Sequence, residues 1–211
     1  MIKDDLINGK YKPGQKILID DITAEYGISR TPAIQAVKLL VNENILDLMD
    51  NGKIFVPIYS AKQISDICDT RLLMEEYAIR FICKDHNAST IDMLNKIARR
   101  CDEYLREGDQ EKSCKEDLSF HKAIIAATGN DCLQDLYTKI QGRFMVANFL
   151  TLSYELRLQD KAISGHKEIM ESLIAFDTAA AQRSIQEHIY AIRDKLVDFN
   201  QKAESESAIS G

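Results

Sequence analysis

The stretch Tyr26–Leu40, YGISRTPAIQAVKLL, decides the fold of the first part of the chain. Gly27 is suited to a turn, and Ser29 is suited to cap the helix that follows it. Pro32 falls in the first turn of that helix, where its missing N–H leaves no hydrogen bond unmade. The apolar residues recur at the spacing of a single helical face, and they are Ala33, Ala36, Val37, Leu40 and Val41. We therefore predict a tight turn followed by an amphipathic helix whose apolar face packs on a small core.

The other face of this helix is predicted to point away from that core. Its residues are Ser29, Arg30, Thr31, Ile34, Gln35 and Lys38. Recognition helices bring their N-terminal residues to base edges and phosphates, so Arg30 and Thr31 are the best placed to contact DNA. Any helical hairpin also has an amphipathic second helix, so this pattern alone fits a helix pair without a DNA-binding role as well.

Two further helical patterns and a strand pair surround this helix. The predicted helices span Ile2–Asn8, about Ile19–Tyr26 and about Arg30–Asn44. The segment ILDLMDNGKIFVPI alternates apolar and polar residues on both sides of Asn51-Gly52, a dipeptide that favours a tight hairpin turn. This order predicts a winged helix-turn-helix over residues 1–58, which we call the head. Gly52 and Lys53 form the wing tip, where they could touch an adjacent phosphate or the minor groove.

The charge of the chain argues against general binding of polyanions. The net charge is -6, and the head holds seven Lys and Arg against eight Asp and Glu. This balance does not exclude a small DNA-reading face. No apolar run is long enough to span a membrane, and the five scattered cysteines indicate reduced thiols. We therefore expect a cytoplasmic protein without a membrane partner.

The sequence after about Ala61 has long apolar periodicities of helical type and few helix breakers. The predicted helices span about Lys62–Lys84, Ser89–Arg106, Gln110–Ala127, Asp131–Tyr154, Leu156–Ala175 and Thr178–Gln201. They predict an all-α bundle over residues 64–202, which we call the C-terminal bundle. Residues 59–63 form a linker, and residues 203–211, polar in composition, are expected to be a flexible tail.

Four possible metal ligands lie on three of these predicted helices. Asp117 and His121 are four residues apart, so they share one helical face. His166 and His188 lie about ten and eleven residues from a turn near Phe176-Asp177, so they are level in an antiparallel helix pair. Three imidazoles and one carboxylate suit zinc foremost, with nickel, manganese or iron(II) as alternatives.

A histidine on a helix is more often a surface residue or a hydrogen-bonded core residue than a metal ligand. His86, in the polar break KDHNAS, is given that interpretation. The chain has only four histidines, however, and the other three fall in the arrangement just described. Spacing alone leaves a metal site and ordinary histidines about equally supported.

The head resembles the N-terminal domain of GntR-family transcription regulators. The segments INGKYKPGQKI, DITAEYGISRTPAIQAVKLLVNENIL and NGKIFV carry the resemblance, over about 55 residues. The matching positions are Gly9, Pro13, Gly14, Gly27, Ser29, Arg30, Thr31, Pro32, Ala36 and Gly52. The resemblance implies double-stranded DNA as the partner.

Two departures from the family pattern alter the predicted DNA contacts. After Pro32 the family usually has Val-Arg-Glu-Ala-Leu, so Ile34 replaces an arginine that commonly contacts DNA. Asn44 stands where the family usually has glycine. Because an isoleucine can pack on a thymine methyl, we expect a preference for A·T pairs at the position that Ile34 faces.

The C-terminal bundle resembles the FCD ligand domain of FadR-type GntR regulators. The segments DICDTRLLMEEYAI, DLSFHKAIIAATGN and HKEIMESLIAFDTAAAQRSIQEHI carry this resemblance, which covers about residues 64–200. It implies that Asp117, His121, His166 and His188 are metal ligands and that Arg71 faces the same cavity as a partner for an effector carboxylate. An ion pair between Arg71 and Glu75, one turn further along the helix, is an equally supported role for that arginine.

Two functions of different classes follow from these features. The first is a transcription regulator that acts as a homodimer, reads a pseudo-palindromic operator and responds to a small organic acid bound to the metal and Arg71. The second is a metal-dependent, hydrolase-like enzyme in which the three-histidine, one-aspartate site activates water. Against the enzyme, no further carboxylate or histidine is clearly placed as a general base, and the head would have no role.

Overall fold

A computed structural model gives the fold of residues 2–7, 10–152 and 160–209. The head begins with helices α1 (Ile2–Ile7), α2 (Ile19–Tyr26) and α3 (Arg30–Asn42). Gly27 ends α2 in the left-handed conformation, with φ of 61°, which sets up the turn into α3. Ala33, Val37 and Leu40 are buried on one side of α3, which confirms the predicted amphipathic helix.

A small antiparallel sheet forms the wing. Its strands are β1 (Lys16–Ile17), β2 (Asp47–Leu48) and β3 (Ile54–Phe55), in the order β1-β3-β2. Ile54 pairs with Leu48 on one side and with Ile17 on the other. The sequence predicted β2 and β3 but not β1, because two residues after the KPGQ turn are too few to show an alternating pattern.

The wing turn at Asn51-Gly52 is longer than a two-residue hairpin turn. Met49 N donates to Lys53 O, and Gly52 N donates to Met49 O at 2.8 Å. Gly52 has φ of 75°, so the tip is a longer loop with a left-handed glycine. Asn44, after α3, also has positive φ, at 56°. This conformation explains why asparagine can replace the usual glycine there.

Six helices form the described part of the C-terminal bundle. They are α4 (Ala61–Asp85), α5 (Ala88–Arg106), α6 (Gln110–Ala126), α7 (Asp131–Leu152), α8 (Asp160–Ile174) and α9 (Thr178–Ile209). Ser60 closes a capping box with Gln63 at the start of α4, and α8 and α9 pack as an antiparallel pair. This mainly helical architecture, with a winged helix-turn-helix head, confirms the predicted fold class.

Helix bounds differ from prediction mainly near the described limits of the chain. The predicted C-terminus of the fourth bundle helix at Tyr154 and N-terminus of the fifth at Leu156 lie outside the described residues, as do Asn8 and Gly9. The backbone of α9 continues to Ile209, through most of the segment predicted to be a flexible tail. Residues 178–209 contain neither glycine nor proline, so nothing in them stops the helix. No helix in the described part of the chain is long and apolar enough to cross a membrane.

The head and the C-terminal bundle each have a buried apolar core. The bundle core includes residues from every helix from α4 to α9, among them Ile79, Phe120 and Ile185. The head core also includes Met145 and Val146, which belong to α7 of the bundle. The two parts are therefore packed against each other through α7.

Candidate metal centre and DNA-reading face

Four possible ligands converge in the interior of the bundle. Asp117 and His121 come from α6, His166 from α8 and His188 from α9. The three imidazoles are buried, with residue exposures of at most 4%, and the Asp117 side chain is 16% exposed. One ligand atom of each residue lies within 4.8 Å of those of the other three. The tertiary structure thus brings together all four residues singled out from the sequence.

The separations between these atoms fit a single metal ion. Asp117 Oδ1 lies 3.1 Å from His166 Nε2, 3.6 Å from His121 Nε2 and 4.0 Å from His188 Nε2. The Nε2 atoms of His121 and His188 are 3.1 Å apart. Ligands bonded at about 2.1 Å to one ion lie about 3 Å apart when adjacent and about 4 Å apart when opposite. The cluster therefore has the dimensions of a coordination sphere.

Hydrogen bonding leaves a lone pair of His121 directed at the cluster. His121 Nδ1 lies 2.6 Å from Glu75 Oε2. A carboxylate only accepts, so the Nδ1–H donates, and in that tautomer the lone pair of Nε2 faces Asp117 and His188. Metal-bound histidines commonly have such a carboxylate on their second nitrogen. The arrangement suits a cation bound to His121 Nε2.

The other ligands also suit a cation. Burial, with His166 and His121 close by, holds the pKa of His188 well below its usual range, which keeps the ring neutral. Burial alone would raise the pKa of Asp117, but the adjacent imidazoles of His121 and His166 outweigh it and hold that pKa well below its ordinary value. Both nitrogens of His166 are buried and have no hydrogen-bond partner among the described residues. The neutral His188 imidazole, the ionised carboxylate and the unbonded nitrogens of His166 suit the binding of a divalent ion.

Glu75 joins the metal cluster to a buried cation. Its Oε1 accepts from Arg71 Nε and from the Tyr137 hydroxyl, both at 2.6 Å, and the residue is fully buried. Burial raises the pKa of Glu75, but Arg71 and His121 outweigh it and lower the pKa to about 2. Sequence analysis considered Glu75 only as an ion-pair partner of Arg71. Its contacts with His121 and Tyr137 join residues 46 and 62 positions apart, so no local pattern could have revealed them.

Two roles were considered for Arg71 from the sequence, an ion pair with Glu75 and a contact with an effector carboxylate, and different atoms of its guanidinium suit each of them. Its Nε forms the ion pair with Glu75, and the group lies over the Phe144 ring at 4.2 Å from the centroid. Its Nη1 is buried and has no hydrogen-bond partner within the described residues. An orphaned, buried, charged donor is costly. The site therefore has a donor available for an anionic ligand.

Asp102 is a further acidic group in the same region. This residue of α5 has a buried Oδ1 atom without a hydrogen-bond partner in the described parts of the chain. Burial raises the pKa of its carboxyl, although nearby His166 acts to lower it. Sequence analysis missed Asp102, since nothing in CDEY distinguishes it from a surface aspartate.

The predicted DNA-contacting residues all lie on the exposed surface of the head. They are Ser29, Arg30, Thr31, Ile34, Gln35, Lys38, Gly52 and Lys53. Arg30 Nη1 forms an exposed ion pair with Asp20 Oδ1 at 2.7 Å, a contact of small net stability that DNA could displace. Ser29 occupies the N-cap of α3, but its side chain accepts no capping hydrogen bond within the described head. The Ser29 hydroxyl is therefore not committed to holding the helix start.

Comparisons with known proteins agree with this architecture. Residues 66–191 match the FCD domain family, and residues 1–56 match the family described as bacterial regulatory proteins, gntR family. The chain is 24% identical over 200 residues to the gluconate operon transcriptional repressor of Bacillus subtilis (strain 168), covering 92% of this chain and 81% of that protein. It is 25% identical over 207 residues to the HTH-type transcriptional repressor GlaR of Escherichia coli (strain K12), covering 89% of each.

A solved structure shares the whole fold. The structure of E. coli McbR/YncC superposes with a TM-score of 0.79 at 19% identity, covering 96% of this chain and 94% of that one. The relatives are transcription regulators and not enzymes. The chain belongs to the GntR family of bacterial regulatory proteins, among the members whose C-terminal part is an FCD domain.

Proposed function

We propose that this GntR-family, DNA-binding transcription regulator binds its operator under the control of a small organic acid held at a metal ion in the C-terminal bundle. The observation that carries the proposal is the four-ligand cluster of Asp117, His121, His166 and His188, adjacent to a buried network that contains Arg71. The metal-dependent hydrolase considered from the sequence is not proposed, since the relatives are regulators. We place the protein in the cytoplasm, where its DNA partner would lie.

The metal proposed at this site is zinc, with nickel, manganese and iron(II) as alternatives. Three histidine nitrogens and one carboxylate oxygen are acceptable to each of these ions. Four protein ligands leave up to two positions open if the coordination is octahedral. When bound, the ion supplies a positive charge to which a ligand carboxylate can coordinate. Glu75 would hold His121 in the tautomer that coordinates through Nε2.

A carboxylate is the ligand group that fits the charges next to the ion. One carboxylate oxygen would bind an open metal position, and another would accept from Nη1 of Arg71, the buried donor without a partner among the described residues. The name of the Bacillus subtilis relative refers to a gluconate operon, which supports a hydroxy acid as one candidate class. Such an acid would change operator affinity only by binding one arrangement of the two heads better than another.

A homodimer is proposed because two heads are needed to bind a pseudo-palindromic operator. The outer face of α4 carries an apolar stripe of Leu73, Tyr77 and Phe81, which are 69%, 45% and 38% exposed. These residues are four apart, so they share one side of the helix. Such a stripe supports a dimer formed mainly by residues beyond about Ala61.

Replacing Arg30 with alanine should abolish specific operator binding, because Arg30 lies at the start of α3, where contacts position and specify. Ile34→Ala should cost only about 1 kcal/mol, mainly at one A·T pair. Fluorescence anisotropy with an operator selected from random DNA, at fixed salt, measures both. Arg99→Ala, at an exposed arginine of α5, is the matched control. Equal binding by wild type and Arg30→Ala would show that α3 is not the recognition helix.

The metal proposal predicts about one divalent ion per purified chain, measured by elemental analysis. His166→Ala and His188→Ala should each remove most of the metal and lower the melting temperature, because binding to the folded state adds to its stability. Glu75→Gln keeps all four ligands and should weaken zinc affinity by about 10–100-fold. His86→Asn leaves the cluster untouched and should retain the ion. Metal retained by both alanine variants would mean that the ligands are misassigned.

The effector proposal predicts that Arg71→Lys weakens binding of an acid ligand while zinc content stays unchanged. Lysine keeps the charge beside Glu75 but lacks the second, forked donor. Acids such as gluconate and citrate are screened first by thermal shift on the zinc-loaded protein, and the best one is titrated calorimetrically. The expected loss is about 10–100-fold, the scale of one charged hydrogen bond. Unchanged affinity would mean that Arg71 has only a structural role as the partner of Glu75. The control is Arg100→Lys, at an exposed arginine of α5.

The dimer proposal predicts that the double variant Leu73→Glu, Tyr77→Glu sediments as a monomer while keeping its metal. Two carboxylates on the apolar stripe would have to be buried without partners in the dimer. Lys62→Glu, on an exposed and polar part of α4, should leave the sedimentation coefficient of the dimer unchanged. A double variant that remains dimeric would locate the interface on another surface.

A further inference from the structure

Helix α7 is shared between the two parts of the protein. Tyr137 and Phe144 are seven residues apart on one face of α7 and belong to the core of the C-terminal bundle. Met145 and Val146 belong to the head core. Successive residues of an α-helix are rotated by about 100°, so the two pairs occupy different faces of one rigid rod.

The first face of α7 forms part of the wall around the buried charges. The Tyr137 hydroxyl donates to Glu75 Oε1 at 2.6 Å, and the Phe144 ring lies beneath the guanidinium of Arg71. Burial and nearby Glu75 raise the pKa of Tyr137 well above its ordinary value, so the hydroxyl remains a donor. A change in the position of Glu75 or Arg71 therefore alters direct contacts of these residues with α7.

The second face of α7 holds the end of the recognition helix. A Cβ atom on Gly142 would overlap the Glu43 carbonyl oxygen and would lie 3.2 Å from a side-chain carbon of Ile45. Glu43 is the C-cap of α3. The missing side chain of Gly142 thus lets a backbone carbonyl of the head dock directly on α7.

Further contacts fix the same junction. Lys3 forms an ion pair with Glu43 at 2.7 Å, and Asp4 of α1 forms one with Lys115 of α6, also at 2.7 Å. On the bundle side, Gln141 Nε2 donates to the Leu118 carbonyl at 2.6 Å, which ties α7 to α6. The Asp4–Lys115 pair joins the head to the bundle, whereas the other two contacts hold α1 to the end of α3 within the head and α7 to α6 within the bundle.

We propose that α7 transmits the state of the metal and effector site to the DNA-reading head, and that the contact between Gly142 and the Glu43 carbonyl is the docking point through which α7 moves α3. A close-packed helix moves as a unit rather than deforming locally. A shift of Tyr137 or Phe144 therefore moves the surface of α7 that contacts the C-terminal end of α3. This inference rests on the function proposed for the metal and effector site, but the docking of α3 on α7 does not itself require a ligand.

Gly142→Ala is the variant that separates the head from α7. Alanine favours the helix more than glycine does, so α7 itself should remain folded. The added Cβ meets a backbone carbonyl, which cannot rotate away as a flexible side chain can, so the head must shift. Lys139→Ala changes an exposed residue of α7 and serves as the matched control. Met145→Ala, which thins the same interface without a steric overlap, is a second variant in case Gly142→Ala folds poorly.

Hydrogen exchange on the full-length, metal-free protein tests the docking. The amides of Ile45 and Leu46, which donate to Leu40 O at 2.9 and 3.3 Å, report on the docked end of α3. Gly142→Ala should speed their exchange by about tenfold or more, Met145→Ala by less, and Lys139→Ala should leave it at the wild-type rate. Wild-type rates at Ile45 and Leu46 in both interface variants would overturn the proposal.

Two probes then test transmission. Zinc added to the wild type should slow exchange around the four ligands and also at Ile45 and Leu46, whereas in Gly142→Ala it should slow only the former. Tyr137→Phe removes the hydrogen bond from α7 to Glu75 and needs no ligand. It should speed exchange at Ile45 and Leu46 in the wild-type background but cause no further increase in Gly142→Ala.

The outcomes distinguish this inference from the proposed function. Failure of zinc to bind the wild type would contradict the metal site, and transmission would then be decided by Tyr137→Phe alone. Zinc that binds with full protection of the cluster, together with no response at Ile45 and Leu46 to either probe, would overturn the transmission through α7 while leaving the metal site intact.

Discussion

The hydrogen bond between Glu75 and His121 is the interaction on which the interior of the C-terminal bundle depends. It lies between the cluster of possible ligands and the Arg71 guanidinium, and it is fully buried. A buried carboxylate is tolerable only when its oxygens are bonded, and Glu75 achieves this with Arg71, Tyr137 and His121. The same bond directs the lone pair of His121 toward the other ligands. Glu75 therefore both neutralises the charge of Arg71 and orients His121 toward the other possible ligands.

This network also explains why the proposed ligand is an acid. The described part of the bundle interior contains the cation Arg71 with one unbonded nitrogen, and a divalent ion would add further positive charge. Glu75 and Asp117 compensate part of that charge, and burial makes the remainder costly. A small carboxylate, as proposed, would complete the balance. Affinity for such a ligand would thus come from the excess of positive charge that results when these groups are buried together.

The head is connected to this interior by packing as well as by the chain. Because Met145 and Val146 belong to the head core, side chains of the bundle contribute directly to burying the apolar residues of the head. The head as a whole is nearly neutral, with seven basic and eight acidic residues. Under the proposed function, specific recognition would depend on where a few side chains such as Arg30 and Lys53 are held, more than on general attraction to phosphate. A small change in how α3 is seated would matter more for such a head than for a strongly basic one.

Local periodicity was enough to determine most helices and to single out the four possible metal ligands. The spacing of Asp117 and His121 and the equal distances of His166 and His188 from a turn are properties of the α-helix itself, so the sequence determined that these side chains could meet. The motifs of the head were equally local, since Gly27 and the amphipathic pattern of α3 are contained within about 15 residues.

Tertiary structure alone decided the contacts that join distant segments. Strand β1 is too short to have a pattern and exists because β3 offers it hydrogen bonds. The contacts of Glu75 with His121 and Tyr137, and of Gly142 with Glu43, link residues far apart in the chain, where periodicity carries no information. Which glycine is needed for close packing, and which carboxylate is buried, depend on how whole helices pack, and that is settled only when the cores of both parts have formed.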